Sequence, residues 1–143
     1  MAKNQPATSD KQPTTKVVAH AVGRRKVAVA TVKLISGGTG IMVNKKPALE
    51  YFPGETAKLK LSNPFTVCDV SKYSATVRVS GGGIGGQLDA TVLGLSRALS
   101  TVKKEFRPLL KSAGLLTRDP RERQRRMIGM GGKSRRRKQS PKR

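Results

Sequence analysis

The sequence has few of the residues from which metal sites and nucleophilic active sites are built. Its 143 residues include one cysteine, Cys68, and one histidine, His20. A structural zinc site takes about four Cys or His ligands, and a nucleophilic side chain works beside a base. The eight acidic residues are dispersed, and nothing in the sequence pairs a nucleophile with a base. The sequence therefore predicts a protein that is not an enzyme and holds no metal or cofactor.

Long apolar runs are absent as well. No segment approaches the roughly 20 apolar residues of a membrane-spanning helix. Residues 1–16 lack the apolar stretch of a secretory signal, and they contain Asp10 but no arginine, unlike an organelle transit peptide. A single cysteine gives no disulfide framework, which fits a reducing compartment. We therefore expect a cytoplasmic protein, with residues 1–16 as a disordered arm.

Negative charge is scarce. Eight Asp and Glu face 30 Lys and Arg, which leaves a net charge of +22. Such an excess favours a polyanionic partner, with nucleic acid first and an anionic membrane surface second. In residues 133–143, KSRRRKQSPKR, seven of eleven residues are basic and none is acidic. Because arginine suits phosphate and stacks on bases, we expect this tail to bind RNA or DNA.

Alternating β-branched residues predict the strands. Residues 17–35 read as one strand or as two divided at Gly23, and glycines at 36–40 predict a loop. Residues 41–44 then read as the returning strand of a hairpin. Two further strands are predicted at 65–70 and 73–80. The five aromatic residues are scattered, which favours core positions over a platform for stacked bases.

Helical spacing is clearest after residue 87. Five apolar residues there follow one another at steps of four, three, four and three, which places them on one helix face: Leu88, Val92, Leu95, Leu99 and Val102. Gly94 lies inside this helix, where we expect another backbone to pack closely. Shorter helices are predicted at 48–52, at 55–61 before Asn63-Pro64, and at 105–113 before Gly114. Asp119, Pro120 and Glu122 have the pattern of a helix start.

The glycine-rich segment VSGGGIGGQ contains the spacing Gly81-x-Gly83-x-x-Gly86, which is also that of a dinucleotide-binding loop. No convincing strand follows the next helix to build a parallel sheet, so a nucleotide-binding enzyme is not the favoured interpretation. Positive φ or close packing explains such glycines equally well, and their backbone N–H groups could also meet an RNA phosphate. We therefore predict a structural loop formed by Gly81, Gly82, Gly83, Gly85 and Gly86.

Several segments in order resemble one family. They are GRRKVAVATV from Gly23, the Gly40 to Asn44 segment, YF at 51–52, VSGGGIGGQ with LSRAL, AGLLTRDPRERQRR, and the terminal KR. Together they resemble the ninth protein of the small ribosomal subunit, of the bacterial or organellar type. An architectural DNA-binding protein is the alternative, but no helix-turn-helix, zinc or zipper pattern supports it.

The resemblance implies an α+β domain at 17–117 and a basic extension at 118–143, a short helix followed by an extended tail that threads through RNA. The domain would have about four strands, two helices and a left-handed β-α-β crossover, like the second domain of the fifth small-subunit protein. The implied place is the head of the small subunit, beside other head proteins. The implied rRNA-binding residues are Arg24, Arg25, Lys26, Arg118, Arg121, Arg123, Arg125, Arg126, Lys133, Arg135, Arg136, Arg137 and Lys138.

The resemblance also implies that the last residues of the chain approach the anticodon stem-loop of tRNA in the peptidyl site. In this sequence that tip is Lys142 and Arg143. The family commonly has an aromatic residue and a serine just before this dipeptide, whereas here Ser140 and Pro141 occupy those positions. Pro141 would stiffen the approach to the tRNA in place of an aromatic contact.

Overall fold

A computed structural model describes residues 16–38 and 40–124 of the chain. Five strands and four helices follow one another there: β1 Val17–Arg25, β2 Ala28–Ser36, β3 Ile41–Val43, β4 Lys46–Pro47, α1 Ala48–Tyr51, α2 Glu55–Val67, β5 Tyr73–Ser80, α3 Ile84–Val102 and α4 Phe106–Ser112. The predicted α+β class is confirmed. The sheet has five strands rather than about four because Lys46 and Pro47 add a two-residue strand at its edge.

The strands form one sheet in the order β1-β2-β5-β3-β4. Antiparallel pairs join β1 to β2, β2 to β5 and β3 to β4, whereas β3 and β5 run parallel. Parallel neighbours need a long connection, and here it runs through β4, α1 and α2. This is a β-α-β connection as the family resemblance implies, and its left-handed form stays a prediction.

Two details of the predicted strands were wrong. The first hairpin divides at Lys26 and not at Gly23, because Lys26 has a φ of 52° and forms the turn while Gly23 pairs with Ala30 inside β1. The segment at 41–44 is not the returning strand of a hairpin with β2. The free edge of β2 is taken by β5, so β3 pairs on the far side of β5.

The strand predicted at 65–70 was also wrong, because α2 continues through Pro64 to Val67. A proline inside a helix removes one backbone hydrogen bond at a cost of about 3 kcal/mol. Here the apolar side of the helix continues across the proline, since Ala57, Leu61, Pro64 and Cys68 are all buried at steps of four, three and four. Burial of that side offsets the local penalty.

The predicted long helix is confirmed as α3, and its apolar face lies against β1 and β2. Leu95 and Leu99 are fully buried. The helix and strand backbones approach most closely at two glycines. A Cβ on Gly23 would lie 1.9 Å from the Ala90 carbonyl oxygen, and one on Gly94 would lie 2.6 Å from Cγ2 of Val32. The predicted close packing at Gly94 is therefore confirmed, and Gly23 is its counterpart on β1.

The last helix ends as predicted, at a glycine. Gly114 has a φ of +71°, and its N–H donates to the carbonyl of Lys111 while the N–H of Leu115 donates to that of Leu110. These two bonds are those of a Schellman motif. Leu115 and Leu116 then pack against the core, so the chain beyond α4 stays on the helical side of the sheet.

None of the helices in residues 16–38 and 40–124 is long and apolar enough to cross a membrane. The arm predicted at 1–16 falls, except for Lys16, outside the residues that the structure describes, as does the tail from residue 125.

Substituting Gly23 by alanine tests the close approach of α3 to β1. Because the new methyl group would collide with the backbone of Ala90 and Gly94, we expect the free energy of unfolding to fall by about 3 kcal/mol or more. Gly85→Ala is the matched control, since nothing lies within 4 Å of the point that its Cβ would occupy and alanine favours a helix. Urea denaturation should therefore show Gly85→Ala unchanged or up to about 1 kcal/mol more stable. Equal stabilities for the two variants would contradict the contact.

Candidate nucleic-acid interface

The glycine-rich loop joins β5 to α3 by a tight turn. Gly81 and Gly82 have φ values of +73° and +65°, which residues with a Cβ rarely adopt. A Cβ on Gly81 would also lie 2.7 Å from the carbonyl oxygen of Val27 in the β1–β2 turn. Both observations explain why glycine occupies positions 81 and 82. A Cβ on Gly83 or Gly85, by contrast, would have no neighbouring atom within 4 Å.

Three side chains from separate sequence segments hold this loop in place. The Tyr51 hydroxyl donates a 2.9 Å hydrogen bond to Oε1 of Gln87, and Nε2 of Gln87 donates to the Gly81 carbonyl at 3.0 Å. Asn44 accepts from the Val79 N–H at 3.0 Å and donates to its carbonyl at 3.1 Å. Asn44 thereby extends the pairing of β3 with β5 to the loop. These polar residues belong to the segments that carry the family resemblance, and their role is structural.

The basic cluster Arg24-Arg25-Lys26 is divided by strand geometry. Successive side chains of a strand point to opposite faces, so Arg24 and Arg25 lie on different sides of the sheet. Arg24 is exposed on the side away from the helices, and Lys26 is exposed in the turn. Arg25 lies on the helical side, where its side chain is only 14% exposed. The three residues are adjacent in the sequence, but the structure presents three different environments.

Arg25 is the centre of an ionic network inside the protein. Its Nη2 lies 2.9 Å from Oδ2 of Asp119, and its Nε lies 3.9 Å from Oδ2 of Asp89 on α3. Its Nη1 also donates to the carbonyl oxygens of Asp119 and Arg121. These bonds tie the chain after α4 to the first hairpin. Arg25 therefore fixes where residues 118–124 leave the domain.

Asp119 is the acidic partner in this network and does not begin a helix. Residues 117–124 form no regular helix, so the helix start predicted from Asp119, Pro120 and Glu122 is wrong over the residues described. The carboxylate instead accepts from the Arg121 backbone N–H at 2.9 Å and from its guanidinium at 2.8 Å. The pKa of Asp119 is held far below its usual range. The main cause is the hydrogen bond from the Arg121 side chain, followed by the hydrogen bond from the Arg121 N–H; the positive charge of Arg25 adds to both.

An open cleft of about 490 Å³ lies between the turn of the first hairpin, the glycine loop and α2. Arg25, Lys26 and Lys60 line it together with the backbone of Gly82 to Gly86. Lys60 pairs with Asp89 at 2.9 Å. Sequence reasoning missed Lys60 and Asp89, because their partners lie far along the chain and no local pattern marks them. It also missed the ion pair of Asp119 with Arg25, because the local pattern at Asp119 indicated a helix start.

The other candidate residues divide between described and undescribed parts of the chain. Arg118, Arg121 and Arg123 are exposed along the segment that follows α4. The remaining predicted contacts lie outside the described residues: Arg125, Arg126, Lys133, Arg135, Arg136, Arg137, Lys138, Lys142 and Arg143. Within residues 16–38 and 40–124, no group of three or more Asp, Glu, His or Cys side chains lies close enough together to bind a metal ion. Cys68 is buried, which raises the pKa of its thiol.

A comparison with protein families gives a match that begins inside β1. The family model described as ribosomal protein S9/S16 matches residues 23–143 of the chain. The matched region starts at the glycine beneath α3. It includes the glycine loop, the network around Arg25 and the whole basic segment beyond.

Neutralising Asp119 should change how the free energy of unfolding depends on pH. Because the folded-state pKa of Asp119 is depressed, its stabilising effect is present above the unfolded pKa of about 3.9 and is lost as the pH falls through the folded pKa. We expect Asp119→Asn to be less stable than the wild type between about pH 5 and pH 7, and the difference to shrink below about pH 4.

The matched control is Glu122→Gln, because the exposed Glu122 makes no ion pair within the part of the chain that is described. Urea denaturation of the full chain across this pH range measures the effect. A stability difference for Asp119→Asn that stays constant down to about pH 3, or that Glu122→Gln reproduces, would contradict the assigned network.

Proposed function

Because the chain belongs to the ribosomal protein S9/S16 family, we propose that it binds in the head of the small ribosomal subunit and reaches peptidyl-site tRNA with its C-terminal tip. Membership makes it a structural, non-enzymatic constituent of the small subunit that binds rRNA, and places it in a ribosome. The family match over residues 23–143 is the observation that carries the proposal, because it includes both the folded domain and the basic segment.

Electrostatic assembly is the proposed mechanism of rRNA binding. Lys and Arg side chains neutralise phosphates and release the counterions condensed around the RNA. The net charge of +22 supplies the driving force, and the folded domain sets the register of the contacts. In this proposal residues 125–143 adopt their final path only when they enter folded RNA, since a segment so rich in like charges buries no core of its own.

The division of the basic cluster assigns its three residues different tasks. Arg24 and Lys26 are exposed and available to phosphates. The charge of Arg25 is already matched by Asp119 at 2.9 Å, so its contribution to RNA binding is to position the start of the basic extension. Arg118, Arg121 and Arg123 then follow on the surface as the first contacts of that extension. Arg125, Arg126 and residues 133–138 continue the contacts.

The glycine loop offers a further place for a phosphate. The backbone around Gly83 and Gly85 is unobstructed, and Lys26 lines the same cleft. Backbone N–H groups in such a loop suit a phosphate oxygen. In the proposed mechanism this contact is secondary to the turn that Gly81 and Gly82 make possible.

The chain's last two residues are proposed to contact tRNA in the peptidyl site. Lys142 and Arg143 provide two positive charges to neighbouring phosphates of the tRNA. Pro141 restricts the backbone just before them and so limits the conformations from which the tip binds.

A variant in which all seven basic residues of 133–143 are replaced by Gln tests the electrostatic role of the tail. If each of the seven charges meets a phosphate, the slope of log affinity for small-subunit rRNA against log salt should weaken by about 5. Deleting residues 1–15 is the control, because they carry two Lys and one Asp and should change the slope by less than about 1. A slope that neither change alters, or preferential binding of duplex DNA by the wild type, would contradict the proposal.

Deleting Lys142 and Arg143 tests the role of the tip. Subunits containing the shortened chain should assemble normally, because the two residues lie beyond every contact described for the folded domain, but their affinity for peptidyl-site tRNA should fall. Filter binding of tRNA to purified subunits measures this loss. Replacing Gln139 and Ser140 by Ala serves as the control, since it leaves the terminal charges in place. Unchanged tRNA affinity after the deletion would exclude the proposed contact.

A further inference from the structure

One face of the sheet is uncovered in the described part of the chain. Alternation along the strands buries Ala30, Val32 and Leu34 of β2 against the helices and turns Thr31 and Lys33 to the other side. On β5 the same alternation buries Ala75, Val77 and Val79 and exposes Thr76 and Arg78. We call this other side the open sheet face; it carries the polar residues Arg24, Thr31, Lys33, Thr76 and Arg78 and, nearer its edges, the exposed apolar residues Val18 and Met42.

The strand register brings the cations of the open sheet face together. Thr31 pairs with Arg78, and Lys33 pairs with Thr76, so Lys33 and Arg78 are diagonal neighbours on adjacent strands. Such neighbours lie about 7–8 Å apart, within reach of one another's long side chains. Arg24 lies on the outer strand, two residue pairs beyond the Thr31–Arg78 pair, in the row of Val29 and Ser80. The face therefore has three cations spread across three neighbouring strands.

No acidic residue offsets these charges. The strands β1, β2, β3 and β5 contain neither Asp nor Glu. Within residues 16–38 and 40–124, Arg24, Lys33 and Arg78 form no ion pair, whereas Arg25 on the opposite face has two acidic partners. Like charges held on one rigid sheet repel one another, and a bound polyanion would relieve that repulsion.

The composition of the face favours RNA over protein. Centres of protein interfaces are rich in Tyr, Trp and Phe and poor in Lys, whereas this face has Lys33 near its middle and no Tyr, Trp or Phe side chain. Its single ring, the exposed imidazole of His20 on β1, does not make the platform of several aromatic side chains on which single-strand-binding sheets stack bases. Arg, Lys and Thr are instead the side chains that bind phosphate and sugar oxygens. Residues 1–15 are unsuited to bind over this basic face, because their own net charge is also positive.

We propose that the open sheet face is a second rRNA-binding surface, which takes the phosphate backbone without reading bases and acts independently of the C-terminal extension. The inference rests on the proposed function. It adds Lys33, Arg78, Thr31 and Thr76 as contacts. The domain would then be held by RNA on the side opposite Arg25 and the root of the extension.

Salt-dependent binding of the full chain to a small-subunit rRNA transcript tests the surface. Each lost phosphate contact weakens the log–log salt slope by about 0.7–0.9, so Lys33→Gln/Arg78→Gln should weaken it by about 1.4–1.8. The matched control is Lys58→Gln/Arg107→Gln, which removes one Lys and one Arg from exposed positions on α2 and α4. The control slope should stay at the wild-type value. Equal slopes for the two variants, whether changed or unchanged, would overturn the inference.

Photocrosslinking in assembled subunits identifies the partner directly. A benzophenone side chain introduced by Thr76→p-benzoylphenylalanine lies at the centre of the open sheet face and should crosslink to small-subunit rRNA. Crosslinks to a neighbouring protein, or to residues 1–15 of the same chain, would overturn the inference.

If the wild type shows no preference for the rRNA transcript over duplex DNA, the proposed function itself fails. If the wild type binds and only the Lys33 and Arg78 effects are missing, the function stands and the open sheet face does not.

Discussion

Direct contact between the backbone of α3 and the first hairpin determines how the rest of the domain is arranged. Gly23 and Gly94 allow the backbones of β1 and α3 to meet directly, and the Val32 side chain of β2 packs against α3 beside Gly94. Interior packing in proteins is as dense as in organic crystals, so this contact fixes the helix axis closely. The start of α3, the glycine loop before it and Asp89 within it are thereby set against the β1–β2 turn. Arg25 in β1 is then placed so that its side chain contacts both Asp89 on α3 and Asp119 in the segment after α4.

The same contact gives the two faces of the sheet different uses. The face under α3 is apolar, and its one arginine is neutralised by two acidic residues. The opposite face keeps Arg24, Lys33 and Arg78 on exposed strand positions. Because strand side chains alternate, neighbouring residues such as Arg24 and Arg25 belong to different faces and to different networks. A basic protein can therefore use some of its cations to build its own fold and present the others to RNA.

Sequence reasoning could predict what depends on local periodicity. The face of α3, the end of α4 at Gly114 and the close packing at Gly94 follow from spacing and from glycine chemistry, whereas the α+β class was implied by the family resemblance. It failed where tertiary contacts override a local signal. Pro64 is a helix breaker by local rules, but an apolar face continues across it. Asp119 has the sequence of a helix cap, but its carboxylate binds Arg25 and Arg121 instead.

The ionic contact between Arg25 and Asp119 joins residues that are 94 positions apart in the chain. A ribosome makes the N-terminal hairpin first, and loop closure over so many residues is slow. Until residue 119 has left the exit tunnel, Arg25 has only Asp89 available, at 3.9 Å. The largely buried guanidinium is thus fully paired only when Asp119 and Arg121 have been synthesised. The ionic network of Arg25 is therefore completed only when the segment after α4 has joined the domain.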